Sequence, residues 1–334
     1  MENSKRFMFH LKMMVGLLLA FGIASGHVLF SQSLDIPSKK WGLSIGNSKE
    51  FTGLRFNFRD SQVQRITGVN FTIWTPRKDN KDAVVRGLSL GFIPGGGDLY
   101  GIQLGLLGVA AEKSMTGLNI GGLGAGAGDN LSGINIGGLG VGAGENLSGI
   151  NIGGLGLGSG KNVTGLSIGG LGVGAGSNLN GICIGGLGIG AGKDLTGLAI
   201  GGLGVGTGGD FTGIAVGGIG VGAGKRFTGI GICGLGAGAP EVRGLIVSGF
   251  GAGGKNLKGV FIGGATIMVD KEGSLSGLAA SSFNYIRGTL SGLSIGIVNY
   301  AWSLDKGLQI GLINIIRDNP KGLKVLPIFN ADFN

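Results

Sequence analysis

Histidine is almost missing from this chain: of 334 residues only His10 and His27 are histidine. Beyond residue 27 there is no imidazole from which to build a Ser-His-Asp or Cys-His relay or a His-based metal site. Acidic residues are few and stand singly at turn positions, with no paired carboxylates. The expectation is a protein that is not an enzyme, with no catalytic residues, no bound metal and no cofactor. Strings such as GVGAGK imitate a phosphate loop, but counting back from Gly192-Lys193 puts the required first glycine on Leu187, and Asp194 replaces the hydroxyl residue.

Cysteine is as scarce. Cys183 and Cys233 lie three repeat units apart and in different columns of the repeat described below. Three strand spacings amount to roughly 14 Å, beyond the roughly 7 Å Cα limit of a disulfide, so two free thiols are expected. Charged residues are only 13% of the chain. The net charge of +9 is spread over turns rather than gathered in a patch, which argues against nucleic acid as a partner.

Long apolar runs are missing too, apart from one. MMVGLLLAFGI (13–23) follows Lys5, Arg6 and Lys12 and precedes Ala24, Ser25 and Gly26. That is the basic, apolar, small-residue order of a secretory signal, and the run is short for a membrane span. No cysteine lies near it to take a lipid. Residues 1–26 are therefore read as a signal peptide, which makes the chain an exported one.

What the chain has in excess is glycine, 79 residues, with a mean hydropathy of +0.40. Collagen would need glycine at every third position and much proline, and there are six prolines. Instead one unit, SGINIGGLGVGAGENL (132–147), recurs. Its opening glycine returns sixteen residues apart at Gly117, Gly133, Gly149, Gly165, Gly181, Gly197, Gly213 and Gly229. Looser units continue the series from Gly53 to Gly322. Aliphatic residues hold fixed offsets, as in Ile134, Ile136, Leu139 and Val141. Spacings of two are strand spacings, and a bend at Gly137-Gly138 is expected to turn all four inward. Gly140, Gly142 and Gly144 then form a bare outer face.

Such a unit cannot bury itself alone, but stacked copies can. The predicted fold is all-β: a parallel β-solenoid of about 18 coils of 15–16 residues with two short strands per coil. The alternative is an outer-membrane β-barrel with transport or pore function. An even unit number and the alternating last segment favour it, while the lack of Trp or Tyr between Tyr100 and Tyr285 removes the aromatic girdles it needs. The expected layout is a signal peptide (1–26), an N-terminal cap or linker (27–50), the repeat array (51–322) and a C-terminal cap strand (323–334).

GLQIGLINIIRDNPKGLKVLPIFNADF (307–333) and GLSIGIVNY (292–300) resemble the closing units of glycine-rich GLQIGLIN-type surface-repeat proteins of Bacteroidota and spirochaetes. The resemblance implies an exported protein at the cell surface or outer membrane of a bacterium, and it brings no catalytic residues. The central units are expected to differ by carrying Gly in place of Gln, Leu and Asn.

Two polar columns remain. Asn130, Asn146 and Asn162 stand in turns, where Asn tolerates left-handed backbone; their sequons are read as turn chemistry. Before each opening glycine stand Thr116, Ser132, Ser148, Thr164, Asn180, Thr196, Thr212 and Thr228. The hydroxyls of this column form the one candidate ligand ladder, for ice or a glycan. The leading expectation is an envelope-associated structural or interaction repeat protein, whose partner is a surface or envelope component and which can associate with membrane.

Overall fold

The computed structural model describes residues 33–332; the expected signal peptide, His10 and His27 lie outside the described residues. The fold is all-β, 72% strand, and forms a parallel β-solenoid of about 17 turns. It is not a barrel, because the repeat strands pair in parallel with their equivalents one coil away. The pore reading falls with the barrel, and the turn count comes close to the expected 18.

Two compact units divide at Gly121 and Gly122. In the first, Trp41–Gly46, Glu50–Asn57, Arg65–Thr72, Val84–Gly91, Gly95–Gly105 and Gly108–Gly121 pair in parallel in that order. Ser33–Pro37 folds back antiparallel on Trp41–Gly46. In the second, a longer strand such as Asn146–Gly153 alternates with a shorter one such as Gly156–Ser159, each stacked on its counterpart sixteen residues away. The last parallel strand is Leu308–Ile316, and Val325–Ala331 runs antiparallel along it.

The opening glycine is a backbone requirement. Gly149, Gly165 and Gly181 have φ of +101°, +106° and +123°, a region that side chains disfavour. They also stack on one another so closely that a Cβ on Gly181 would lie 2.2 Å from the carbonyl oxygen of Gly165. The column is glycine on both counts.

The facing of the strands differs from expectation. Leu147, Asn151 and Leu157 are buried, whereas Ile150, Ile152 and Leu155 are exposed. Of the four columns expected inside, only that of Val141 and Leu157 is. Residues 147, 149, 151 and 153 share one phase of the pleat, and Ile150 and Ile152 have the other. The corner at Gly153-Gly154 presents Leu155 outward rather than reversing that phase, so the larger aliphatics end up on the surface. The core consists instead of the Leu131, Leu147, Val163, Leu179, Leu195, Phe211 and Phe227 column, the Val141 column and the small alanines at 143, 175, 191 and 223. Burying each of the larger members contributes about 1.5–3 kcal/mol. Gly140 and Gly142 alternate with buried Val141 and Ala143, so the bare outer face of the shorter strands is present.

Register also re-aligns the closing motif. Gln309 pairs with Ser294, and the same column leads through Ala279, Phe261, Ile246, Gly231, Ala215, Ala199 and Cys183 to Ser167 and Asn151. Asn314 heads a second column through Asn299, Asn284, Ile267, Ala252 and Ala237 to Val221. Gln is therefore replaced in the central units by Asn, Ser, Cys, Ala or, once, Gly231, and Asn by an aliphatic. The expected replacement by Gly holds for Gln at Gly231 alone, and for Asn it fails because the central coils carry an extra residue at the corner, which shifts a gapless comparison beyond that point.

Candidate functional site

Three aliphatic ladders follow from this facing. Ile134, Ile150, Leu166, Ile182, Leu198, Ile214 and Ile230 stack in register, as do Ile136, Ile152, Ile168, Ile184, Ile200, Val216 and Ile232. The third runs along the corner, where Leu155 donates its N–H to the Leu139 carbonyl at 2.7 Å and Leu187 to Leu171 at 2.6 Å. Corner leucines are the most open, 51% for Leu155 and 48% for Leu187. Isolated exposed aliphatics are ordinary on protein surfaces; contiguous ladders of them mark an interaction surface.

The Ser/Thr column lies across the positive-φ glycine from the first of these ladders. Ser132, Ser148, Thr164, Asn180, Thr196, Thr212 and Thr228 are paired in register and lie at the surface, exposed or half-buried. Thr116, in the first unit, pairs with Tyr100 and is exposed. The row is single and contains Asn180, with Ile134 and Ile150 as its neighbours beyond the glycine. The turn column is bound from coil to coil: Asn146 Nδ2 donates to Asn130 Oδ1 at 2.8 Å, and Asn162 Nδ2 to Asn146 Oδ1 at 2.8 Å. Consumption of those amides in the ladder fits the reading of the sequons as turn chemistry.

Inside, the chain holds polar groups that sequence reasoning did not place. In the first unit Arg55 is fully buried, its Nη1 donating to Asp60 Oδ1 at 2.6 Å and to Asn70 Oδ1 at 2.7 Å. Ser48 accepts from its Nε at 3.1 Å and Asn47 from its Nη2 at 3.2 Å, while Asn57 and Thr72 donate to Asp60. The only sequence signal is position: Arg55 occupies the inward column between Ser44 and Asn70. In the second unit Asn284 donates to Asn299 and Asn299 to Asn314, both at 2.8 Å, and each amide also reaches a backbone carbonyl. These groups are saturated by one another and are built for folding rather than for ligands.

The two cysteines are free and buried in different columns, as expected. Burial pushes the Cys183 thiol up to about 12 and raises that of Cys233, so neither is a poised nucleophile. Ion pairs run between coils at the surface; the hydrogen bond from Arg226 at 2.8 Å holds the Glu241 carboxyl below its usual range. Among the described residues no group of three or more His, Cys, Asp or Glu could hold a metal ion. The chain matches no family model, and no curated protein or solved structure resembles it significantly.

Proposed function

We propose that this chain is an exported, non-catalytic structural and interaction protein that associates with the bacterial cell envelope through its aliphatic ladders. The observation that carries the reading is the outward facing of the Ile134, Ile136 and Leu139 columns over a core small enough to be filled without them. A solenoid that needed only to fold would place polar residues there, since those positions contribute little to its interior. The favoured occupant is a lipid surface with anionic headgroups. Apolar ladders supply the area that inserts, and the basic balance of the mature chain, +9 less the three positive and one negative charges of residues 1–26, or +7, draws it to that charge. The basic and apolar N-terminal run supports export.

The test is expression of the full chain with its own leader in a Gram-negative host, followed by cell fractionation and flotation with phosphatidylglycerol vesicles. Association with the envelope fraction and with vesicles is expected. A variant carrying Leu139→Ser, Leu155→Ser, Leu171→Ser and Leu187→Ser should keep its circular dichroism spectrum and lose flotation. Recovery of the wild type in the cytoplasm, or flotation equal in wild type and variant, would refute the proposal.

A further inference from the structure

Towards its end the regular repeat is disturbed. Consecutive opening glycines at Gly259 and Gly277 are eighteen residues apart, against sixteen in the regular coils. The added residues are accommodated where the register between Thr266–Ala280 and Phe283–Ile295 shifts between Val269 and Ser274, at the segment Asp270-Lys271-Glu272-Gly273. Glu272 there takes φ +59°. In the same coils the bare outer glycines give way to large side chains. The column of Gly222, Gly238 and Gly253 continues as Met268, Tyr285 and Tyr300. Trp302 follows two residues after Tyr300, with Ala301 buried between them.

The result is a cleft of about 440 Å³, walled by Lys271, Glu272 and Gly273 and floored by Tyr285, Tyr300 and Trp302, with Arg287, Thr289 and Ser303 beside them. Its volume and its mixture of aromatic faces with a few polar groups are those of a small-ligand site. The rings of Tyr285 and Tyr300 lie 4.9 Å apart, and Trp302 is 52% exposed, stacked under the Arg317 guanidinium at 5.3 Å. Arg287 is held by Asp270 at 2.9 Å and lies over the Tyr285 ring, while its buried Nε has no partner.

We propose that this cleft binds a neutral oligosaccharide. A pyranose has an apolar C–H face that packs on an aromatic ring and a rim of hydroxyls that both donate and accept. The cleft offers both: the rings of Tyr285, Tyr300 and Trp302 for the faces, with Thr289, Ser303 and Glu272 for the hydroxyls. Charge separates this ligand from a phosphate or a nucleic acid. Of the two cations in the lining, Arg287 is already paired with Asp270 and Lys271 stands next to Glu272 in sequence, so the cleft lacks the cluster of unpaired cations that a phosphate chain needs to displace its counterions. The site is independent of the aliphatic ladders and of the Ser/Thr row, and envelope association can fail while it stands.

The experiment uses the full chain on an array of neutral oligosaccharides (gluco-, manno-, galacto- and N-acetylglucosamine series), with heparin and a thymidine 20-mer as charged probes. At least one neutral series should bind, and titration calorimetry of that sugar should show a loss of about tenfold or more for Trp302→Ala and for Tyr300→Ala. Ser303→Ala, a smaller change on the rim, should weaken binding less, and Thr164→Ala not at all. Unchanged circular dichroism establishes that the variants are folded; if Tyr300→Ala unfolds, Trp302→Ala alone decides. Binding to no neutral sugar, binding insensitive to Trp302→Ala, or binding only to heparin or the oligonucleotide with steep salt dependence would each overturn the proposal.

Discussion

Replacing glycine by alanine at residues 165 and 174 should move stability in opposite directions, although the two lie in one coil. Gly165 has φ +106°, and a Cβ there would sit 2.3 Å from the Gly149 carbonyl oxygen. The backbone strain alone costs about 1–3 kcal/mol. Relieving the overlap requires the coils to separate at that point, weakening one or two ladder hydrogen bonds worth roughly 1 kcal/mol each. The expected loss for Gly165→Ala is therefore about 2–5 kcal/mol. At Gly174 a Cβ meets nothing within 4 Å, and φ is not in the positive region. There the methyl removes freedom from the unfolded chain, stabilising by about 0.4–1 kcal/mol. In a repeat array damage is local, so urea melts followed by circular dichroism should be paired with hydrogen exchange. Faster exchange should be confined to coils around Gly149–Gly181 in the Gly165 variant. Equal melts for the two variants would refute the stacked positive-φ column as the reason for glycine there.

The facing of the strands is checked by a second pair: Leu147→Ala should cost about 2–5 kcal/mol in a urea melt, whereas Ile152→Asp, at a position 37% exposed, should cost at most about 1 kcal/mol. Arg55→Met leaves the Asp60 carboxylate buried without its partner and should cost about 3–5 kcal/mol; adding Asp60→Asn should restore at least half of that in the same assay. Both thiols should resist alkylation at pH 8 until denaturant is added. Because the Cys183 thiol sits at about 12 when folded against 9.0 ordinarily, the folded state keeps a proton that the unfolded state loses. Its contribution is intact below about pH 9 and is lost as pH rises towards about 12, which a pH series of melts on wild type and Cys183→Ala would reveal.

The period of the repeat, its parallel stacking and the corner at the glycine pair were legible from columns of identical residues, because each coil repeats the same constraints. Which phase of the pleat faces inward was not. Both phases of a coil such as 146–159 carry aliphatics, Leu147 and Leu157 on one and Ile150 and Ile152 on the other. Reasoning that apolar means inside selects the more numerous set, but burial of apolar groups is a one-way rule. Asn151 is the residue that should have decided it: a polar residue at a strict offset can lie inside when its neighbours stack the same group, as Asn135 Nδ2 does on Asn151 Oδ1 at 2.7 Å. The aromatic cleft was hidden for a different reason. It arises from residues 270–273, an irregularity between repeats, and column reasoning averages irregularities away.

A chain whose outer surface repeats every sixteen residues faces a bookkeeping problem during folding, since each strand meets near-identical partners one coil to either side. Slippage by a whole coil would change little outside. Inside it would matter. Phe211 and Phe227 stack at 4.7 Å, and the same two coils carry Ala215 and Gly231 in the neighbouring inward column. A Cβ on Gly231 would stand 2.6 Å from Ile246 Cδ1 and 3.1 Å from Phe227 Cζ, so the bulk of one column is matched by the smallness of the other. The run Asn151, Ser167, Cys183, Ala199, Ala215, Gly231, Ile246 and Phe261 thus works as a serial number printed on the interior. Where that run repeats a residue, as at Ala199 and Ala215, the neighbouring column changes from Leu195 to Phe211, and a strand that docks one place too early meets a ring where it needs a void.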